Sequence, residues 1–406
     1  MTVEAATPAR RALFAEVDLA AFIPDAIWVD IPDDPGYREV SRRRDRAAWD
    51  AAVAANAPVV TQINLGEPHR PGGDNFPTSS SRQPSIVADM LTALGPRPGD
   101  AVLEVGTGTG WNAALLEHRV GPAGRVTTIE VDPGIADTAR AALAAAGFAA
   151  HVVTGDSEAG WPAAAPYDGM MSTASVRETV PPAWLAQLRP GGRLATPWST
   201  DYAKGALLTL DLGENGVATG RFSTCLSFMR LRSHRRGLFG WEPDQDALAD
   251  AAVTTTECRD VDLDRMLGPA RGNLVIGARL REVSLVFDRD ARGPGHHLVE
   301  LDDLATKSFA RLDWPTGSAE PFTVSQLGPR RLWDEAEAAY DWWYEHGQPG
   351  PDRLGLAIAP DHCSGHPVRC WTGCGVRRRI GTWPRVGGRA RRPGMTSSAG
   401  TTFLHR

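Results

Sequence analysis

Three glycines, Gly106, Gly108 and Gly110, stand at alternate positions directly after the apolar run 101–105. Glycine-rich backbone between a strand and a helix presents free N–H groups, and a ligand can approach it closely because side chains are missing. Glu130 ends the next apolar run, where a carboxylate can accept hydrogen bonds from ribose hydroxyls. The spacing predicts a nucleoside-binding turn, and an ordinary tight strand–helix turn is the alternative.

The third glycine decides between two classes of nucleoside ligand. Dinucleotide sites use G-x-G-x-x-G, with the last glycine one place further on, and here that place is Trp111. S-adenosylmethionine has no pyrophosphate and needs only the tight turn and the carboxylate. Asp156, at the end of a third apolar run, is placed to accept from an adenine amino group. These residues favour S-adenosylmethionine.

Alternating strands and helices must position this turn. The patterns predict strands at 101–105, 126–131, 150–154, 168–172 and 192–196, and helices at 110–118, 134–146 and 181–188. An earlier helix, with Val87, Met90, Leu91 and Leu94 on one face, ends at Gly95. Short loops between strands and helices predict a parallel sheet covered on both faces.

Outside this region strands and helices do not alternate in the same regular way. Residues 1–82 are polar and rich in turn signals, which predicts loops. "NLVIGARL" (273–280) and "EVSLVF" (282–287) predict strands. The segment 328–350 predicts a helix whose aromatic residues either pack in the core or supply a substrate-selecting surface; its apolar stripe is Leu332, Ala336, Ala339 and Trp343.

Composition limits the possible partners. The chain has 406 residues and a net charge of −6, but residues 362–406 contain nine Arg and no acid, which leaves −15 for residues 1–361. An acidic body argues against nucleic acid as the main ligand. We find neither a signal peptide nor 18 consecutive apolar residues, so no membrane association is expected. Two of the five cysteines lie in the body, which fits a cytoplasmic protein.

Several stretches, taken together, resemble class I S-adenosylmethionine-dependent methyltransferases, and more narrowly the protein-L-isoaspartate O-methyltransferase family. They are "SSSRQPSIVADML", "VLEVGTGTGWNAALL", "GRVTTIEVDP", "VVTGDSEAGWPAAAPYDGMM" and "LAQLRPGGRLATPW". The resemblance covers residues 10–240. The longer architecture resembles an actinobacterial branch that accompanies ribosomally synthesised, modified peptides.

The resemblance implies an α/β fold, with a doubly wound, mostly parallel, Rossmann-like sheet. It divides the chain into an N-terminal extension with the acceptor-site loop (1–82), a cofactor-binding domain (83–240) and a C-terminal α+β accessory domain (245–360). It also implies a set of S-adenosyl-L-methionine-binding residues. They are Gln83, Glu104, Gly106, Thr107, Gly108, Thr109, Gly110, Glu130, Val131, Asp156, Ser157 and Thr173.

In this family a Ser/Thr-rich loop before a proline borders both cofactor and acceptor. The resemblance therefore assigns the catalytic positions to Ser80, Ser81 and Arg82. The alternative for the serines is an N-cap of the helix that begins near Pro84. Arg82 replaces the last hydroxyl of the family loop, so it either pairs with a substrate carboxylate or blocks the site. No metal is expected.

A carboxylate acceptor is already ionised at neutral pH, so methyl transfer needs orientation and water exclusion rather than a base. The predicted substrate is an aspartyl or isoaspartyl carboxylate in a peptide or protein, including a ribosomal precursor peptide. The methyl ester is activated, and attack by the next backbone nitrogen gives a succinimide. The alternatives are general isoaspartyl repair and a catalytically inactive peptide-binding scaffold.

The tail, residues 361–406, is predicted to be disordered or frameshifted and to contribute nothing to folding or catalysis. Its cysteines, Cys363, Cys370 and Cys374, match no common zinc spacing. Its arginines lack the aromatic interleaving of a nucleic-acid-binding arm. His234, with Arg235 beside it, is predicted to lie in a solvated loop.

Overall fold

The computed structural model describes residues 16–31, 34–73, 75–235, 241–268, 271–359 and 368–372. Three β-sheets and the helices packed on them make up this part of the chain. None of its helices combines the length and the apolar character needed to cross a bilayer.

The N-terminal region forms an antiparallel sheet, so the prediction of a loop-rich region was wrong. Its strands are β1 (Ala26–Ile31), β2 (Asp34–Ser41), β3 (Val59–Ile63) and β4 (Pro77–Ser81), in the order β2-β1-β3-β4. Helix α1 (Arg46–Ala54) packs on it and buries Trp49. The Ser-rich stretch is therefore a strand rather than a loop, because its backbone pairs with β3.

Helix α2 (Pro84–Leu94) buries the four apolar positions predicted for it and ends at Gly95 in the left-handed conformation. The helices that follow are α3 (Trp111–Val120), α4 (Pro133–Ala145) and α5 (Pro182–Ala186). They alternate with β5 (Ala101–Val105), β6 (Arg125–Glu130), β7 (His151–Thr154), β8 (Tyr167–Ser172), β9 (Val176–Arg177) and β10 (Leu188–Ser199).

These strands form the parallel part of the central sheet, in the order β10-β8-β5-β6-β7, with β9 beside β10. Strands β11 (Ala206–Leu212) and β12 (Ala218–Cys225) extend it in the antiparallel direction. The predicted doubly wound, mostly parallel sheet is confirmed. Strand β10 begins at Leu188, so the helix predicted to reach residue 188 is shorter than expected.

The C-terminal region contains a second antiparallel sheet, of five strands, in which the first strand lies at one edge and the next strand along the chain lies at the other. Its elements are α6 (Gln245–Ala249), β13 (Ala252–Thr256), α7 (Asp260–Leu267), α8 (Arg271–Arg279), β14 (Ser284–Asp288), β15 (His296–Asp303), β16 (Ser308–Pro315), β17 (Phe322–Leu327) and α9 (Leu332–Glu345).

All but the last residue of the stretch "NLVIGARL", predicted as a strand, lies in helix α8, so that prediction was wrong. A short apolar run does not by itself distinguish a buried strand from a buried helix. Here Leu274, Val275 and Ile276 are consecutive and all buried, because the helix has protein on several sides. In α9 the predicted stripe is buried together with Trp333 and Tyr340, so this face packs in the core and does not supply a substrate surface.

Residues of the tail extend the central sheet. Strand β18 (Leu354–Ile358) pairs with β12, and β19 (Val368–Thr372) pairs antiparallel with β18 along its whole length. Five residues of the segment predicted to be disordered are therefore in a strand. Cys363, Cys374 and most of that segment lie outside the described residues, and the domain boundaries stay predictions.

Two large apolar clusters cover the two faces of the central sheet. Helices α2, α3 and α4 cover one face. On the other face, Leu103 and Met170 of the sheet share one cluster with Leu263, Val324 and further residues of the C-terminal region. The C-terminal region thus completes the core on this face of the central sheet rather than having a separate core.

Candidate functional site

The order in which successive parallel strands are added to the sheet reverses at β5. Strands β6 and β7 lie on one side of β5, and β8 and β10 lie on the other. In open α/β sheets, ligands bind outside the carboxyl end of the strands at such a reversal. The glycine turn 106–110 follows β5 at this edge, between the loops that follow β6 and β8.

Two of the three glycines are required by their surroundings. All three have positive φ, at 91°, 55° and 87° for Gly106, Gly108 and Gly110, a region that side chains disfavour. A Cβ on Gly106 would lie 2.7 Å from Oγ1 of Thr173, and one on Gly110 would lie 3.2 Å from Cγ of Leu143. The turn therefore packs tightly between the loop after β8 and helix α4.

Glu130 is held against the turn by backbone donors. Its carboxylate accepts hydrogen bonds from the N–H groups of Gly108 and Asp132, both at 3.1 Å. Burial raises the pKa of Glu130, and these two hydrogen bonds act in the opposite direction. The structure thus brings Glu130 to the glycine turn, as the sequence predicted.

Glu104, on β5, is fully buried beneath the turn. It accepts hydrogen bonds from Asn112 Nδ2 at 2.7 Å and from Thr128 Oγ1 at 2.6 Å, and Thr128 is bonded to Thr107 in turn. Burial raises the pKa of Glu104 to about 7. Oδ1 of Asn112 is buried and has no hydrogen-bond partner within the described part of the chain.

A cavity lies between the glycine turn, β4 and α2. Its lining comprises Ser80, Ser81, Arg82, Val87, Met90, Glu104, Gly106, Thr107, Gly108, Thr109, Trp111, Asn112 and Thr173. Nine of the fifteen predicted site residues are in this lining. Asn112, which sequence reasoning missed, is the second residue of the helix that follows the glycines.

The hydroxyls of β4 fall into two groups. Thr78 and Ser79 are bonded to side chains of β3, at 2.7 and 3.2 Å. The hydroxyls of Ser80 and Ser81 have no hydrogen-bond partner among the described residues, and both line the cavity. The N-cap of α2 is Gln83, without a side-chain cap, so the alternative of a serine N-cap was wrong.

Arg82 lies in the same cavity. Its Nη2 donates to the carbonyl oxygen of Thr173 at 3.2 Å, and its guanidinium carbon lies 4.2 Å from the ring centre of Phe228. Burial, and then the charge of Arg235, lower the pKa of Arg82 to about 10. The guanidinium therefore stays charged at neutral pH, and Arg82 lines the cavity together with the two serines and the turn.

The other predicted site residues lie at the same edge but outside this lining. Asp156 is exposed, and its Oδ1 accepts from the N–H of Glu158 at 3.0 Å. The side chain of Gln83 donates to Ser85 at 2.9 Å instead of facing the cavity. Gly110, Glu130, Val131 and Ser157 complete this group.

A segment missed by sequence reasoning crosses the carboxyl edge of the sheet. In this crossing segment, residues 226–235, Phe228 contacts Arg82, and Arg232 lies 3.5 Å from Asp132. His234 Nδ1 accepts from the N–H of Arg177 at 2.9 Å, and its side chain is 10% exposed. The prediction of a solvated loop at His234 was wrong, because this packing buries the imidazole and lowers its pKa.

The polar groups around the cavity fit the predicted cofactor. The turn offers the close approach that a nucleoside needs, with a fixed carboxylate at Glu130. The orphaned oxygen of Asn112 and the carboxylate of Glu104 suit the ammonium of an amino-acid moiety. No group of three or more His, Cys, Asp or Glu side chains in the described ranges is arranged to hold a metal ion.

Comparison with known proteins gives concordant matches. A family model described as protein-L-isoaspartate(D-aspartate) O-methyltransferase matches residues 72–234. The protein-L-isoaspartate O-methyltransferase of Anaeromyxobacter dehalogenans strain 2CP-1 is 40% identical over 179 residues, or 43% of this chain and 83% of the relative. That of Methylorubrum extorquens strain PA1 is 49% identical over 159 residues, or 38% and 67%.

A solved structure of a protein-L-isoaspartate O-methyltransferase also aligns with the chain. The alignment covers 87% of this chain and 92% of the other, at 18% identity and a TM-score of 0.46. The residues matched by the family model run from just before β4 to the end of the crossing segment. They include the glycine turn and the cavity, and the C-terminal sheet lies outside them.

Proposed function

Because the chain belongs to the protein-L-isoaspartate(D-aspartate) O-methyltransferase family, we propose that it methylates one aspartyl or isoaspartyl carboxylate of a modified peptide and so starts aspartimide formation. Membership of the family gives the coarser statement, which is methyl transfer from S-adenosyl-L-methionine to an isoaspartyl carboxylate. The observation that carries the proposal is the cavity that Ser80 and Ser81 line together with the glycine turn, in which neither serine hydroxyl has a hydrogen-bond partner among the described residues.

The residues of this chain orient the acceptor rather than ionise it. When bound, the sulfonium supplies the methyl group: the bond from carboxylate oxygen to methyl carbon forms as the carbon–sulfur bond breaks, and its electron pair stays on sulfur. The hydroxyls of Ser80 and Ser81 can donate to the acceptor carboxylate without neutralising it. Glu130 and the glycine turn hold the nucleoside, and the crossing segment limits the access of water.

The choice of one aspartate among many needs contacts away from the reacting atom, since the transfer chemistry is the same for every carboxylate. The C-terminal region supports this part of the proposal, because it adds a second sheet beyond the residues that the family model matches. It packs on the same central sheet that carries the cavity. The buried stripe of α9 is not part of such a surface, so the exposed faces of this region are the candidates.

General isoaspartyl repair is the second candidate, favoured by the names of the curated relatives. A repair enzyme needs to accept isoaspartate in many sequence contexts. An inactive scaffold is the third, favoured by the position of Arg82 inside the cavity.

Mass spectrometry of peptides incubated with the chain and S-adenosylmethionine tests the proposal. The panel contains aspartyl and isoaspartyl versions of peptides with different flanking residues, together with a modified precursor peptide. We expect one peptide to gain 14 Da and then to lose methanol, ending 18 Da below its starting mass, while generic isoaspartyl peptides react poorly. Efficient methylation of every isoaspartyl peptide points to repair. If none of the peptides is methylated, the proposal is contradicted.

A pair of variants ties any methylation to the site. Glu130→Ala removes the carboxylate beside the turn, and we expect cofactor affinity to fall ~30- to 1,000-fold, or about 2–4 kcal/mol. Glu214→Ala changes an exposed acid in the turn between β11 and β12 and is expected to leave the affinity unchanged. Calorimetry with S-adenosylhomocysteine measures both.

A further inference from the structure

Arg82 and Arg235 are two partly buried guanidinium groups that have no carboxylate partner among the described residues. Arg82 donates to the carbonyl of Thr173, and Arg235 Nε donates to the carbonyl of Arg230 at 3.4 Å. Other partly buried arginines differ in this respect. Arg177 lies 3.2 Å from Asp201, and Arg330 lies 2.8 Å from Asp303.

The charged residues around Arg82 and Arg235 already form ion pairs with one another. Arg230 is paired with Asp201, Arg232 lies 3.5 Å from Asp132, and His234 lies 3.5 Å from Glu158. Burial, and then the charge of Arg232, lower the pKa of Arg235, as burial and Arg235 do for Arg82. A desolvated cation beside a second cation is unfavourable unless an anion compensates it. The site therefore has the electrostatics of an anion receptor.

The reaction itself indicates which carboxylate suits this receptor. The acceptor carboxylate loses its charge as the ester forms, and the sulfonium loses its charge at the same time. A guanidinium paired with the reacting oxygen would stabilise the charged ground state more than the transition state, and so would slow the transfer. The neutral hydroxyls of Ser80 and Ser81 lack this disadvantage, so Arg82 suits a carboxylate that does not react.

We propose that Arg82, with Arg235 beside it, binds a carboxylate that does not accept the methyl group. This inference rests on the proposed function. Two sources have this chemistry: the amino-acid carboxylate of the methyl donor, and a second carboxylate next to the acceptor in the peptide. The cation–π contact with Phe228 holds the guanidinium from the crossing segment. Among the described residues only its Nη2 has a hydrogen-bond acceptor, the carbonyl oxygen of Thr173.

Binding measurements without turnover test the proposal and separate the two sources. The first arm is calorimetry with S-adenosylhomocysteine, which has the carboxylate, and with methylthioadenosine, which lacks it. The second arm is binding of labelled isoaspartyl peptides, with Glu or Gln beside the acceptor, to the chain saturated with S-adenosylhomocysteine. The proteins are wild type, Arg82→Gln, Arg235→Gln and Arg97→Gln, the last an exposed arginine at the opposite edge of the sheet.

If the bound carboxylate is that of the methyl donor, Arg82→Gln lowers the affinity for S-adenosylhomocysteine ~10- to 100-fold and leaves the affinity for methylthioadenosine unchanged. A substrate carboxylate predicts the same loss for the Glu peptide but not for the Gln peptide. In either case Arg235→Gln lowers the affinity less than Arg82→Gln in the same arm, because the contact of Arg82 with Thr173 stays in place. Arg97→Gln does not change the affinity.

Unchanged or tighter binding of every ligand to Arg82→Gln overturns the proposal, and tighter binding would mean that Arg82 obstructs the cavity. Melting temperatures of the variants show whether each is folded. The readout is affinity alone, so an absence of methyl transfer contradicts the proposed function without deciding this inference.

Discussion

At the scale of single residues, the site combines carboxylates that are fixed in place with hydroxyls that are left free. Glu130 and Glu104 each accept two hydrogen bonds from the protein, so neither needs to reorganise when a ligand arrives. Ser80 and Ser81 keep their donors available within the described part of the chain. Such preorganised positioning is the main contribution that a protein makes to a transfer that needs no base.

The raised pKa of Glu104 gives a pH-dependent prediction for the cofactor-free protein. Its folded-state pKa of about 7 lies above the unfolded value of 4.5. The folded state therefore holds the proton more tightly, and ionisation destabilises it increasingly as pH rises from 4.5 to 7. We expect Glu104→Gln to be more stable than wild type at pH 8, by up to about 3 kcal/mol, and to lose that advantage near pH 5.

Thermal denaturation at several pH values measures this effect. Glutamine keeps both contacts, because its amide can donate to Thr128 once the Thr107–Thr128 hydrogen bond reverses. Glu214→Gln, at an exposed position, is the control and is expected to follow wild type. A Glu104→Gln stability difference that does not vary with pH would show that the buried group does not titrate in this range.

At the scale of elements, segments that are distant in the chain come together around the cavity. Strand β4 belongs to the N-terminal sheet but lines the cavity with residues of β5 and the glycine turn. The crossing segment follows β12 and returns over the loops after β6 and β8. At the far end of the sheet, β18 and β19 come from the C-terminal end of the chain.

Truncation distinguishes strand β19 from the rest of the tail. Removal of all residues after Asp361 leaves β18 without its outer partner, and we expect the melting temperature to fall by roughly 1–4 °C. Truncation after Thr372 keeps β19 and is the matched control, expected to melt like wild type. Methylation rates should be unchanged in both, since five strands separate β19 from β5. Equal melting temperatures for the two truncations would mean that β19 adds no stability.

At the scale of the whole molecule, the C-terminal region and the cofactor-binding region share one apolar core. Tyr202, in the loop after β10, is buried and donates to the carbonyl of Met266 in α7 at 3.2 Å. Gly277 of α8 lies against the same loop, where a Cβ would meet Thr200 Oγ1 at 2.6 Å and Ala203 Cβ at 2.9 Å. Deletion of the C-terminal region would therefore expose core surface, and substrate selection is better tested with point variants.

This shared core predicts a single unfolding transition by calorimetry. We expect Gly277→Ala to lower its midpoint, because overpacking of about 1–3 kcal/mol outweighs the gain in helix propensity of about 1 kcal/mol. Gly134→Ala in α4 is the control, since its Cβ would meet only Asp132 Oδ1, at an ordinary 3.5 Å. Two transitions, of which Gly277→Ala shifts only one, would show that the regions unfold independently.

Features that depend on local spacing could be predicted from the amino-acid sequence. The glycines with Glu130, the apolar face of α2 and the alternation of strands and helices each follow from neighbours within one or two elements. These patterns were sufficient to predict the fold class and the nucleoside-binding turn. The resemblance of the longer motifs to a known family gave the family and drew attention to Ser80, Ser81 and Arg82, although the strand that carries them was taken for a loop.

Features that depend on which distant segments meet could not be predicted in this way and are known from the fold. "NLVIGARL" lies in a helix whose three consecutive apolar residues are all enclosed, and a short apolar run alone does not distinguish such a helix from a buried strand. The crossing segment reaches Arg82, from which Phe228 is separated by more than a hundred residues of chain. Within the part of the chain that the structure describes, Arg82 has no carboxylate partner and the hydroxyls of Ser80 and Ser81 have no hydrogen-bond partner. Which partners come near depends on the fold, and the spacing of residues in the sequence does not give those distances.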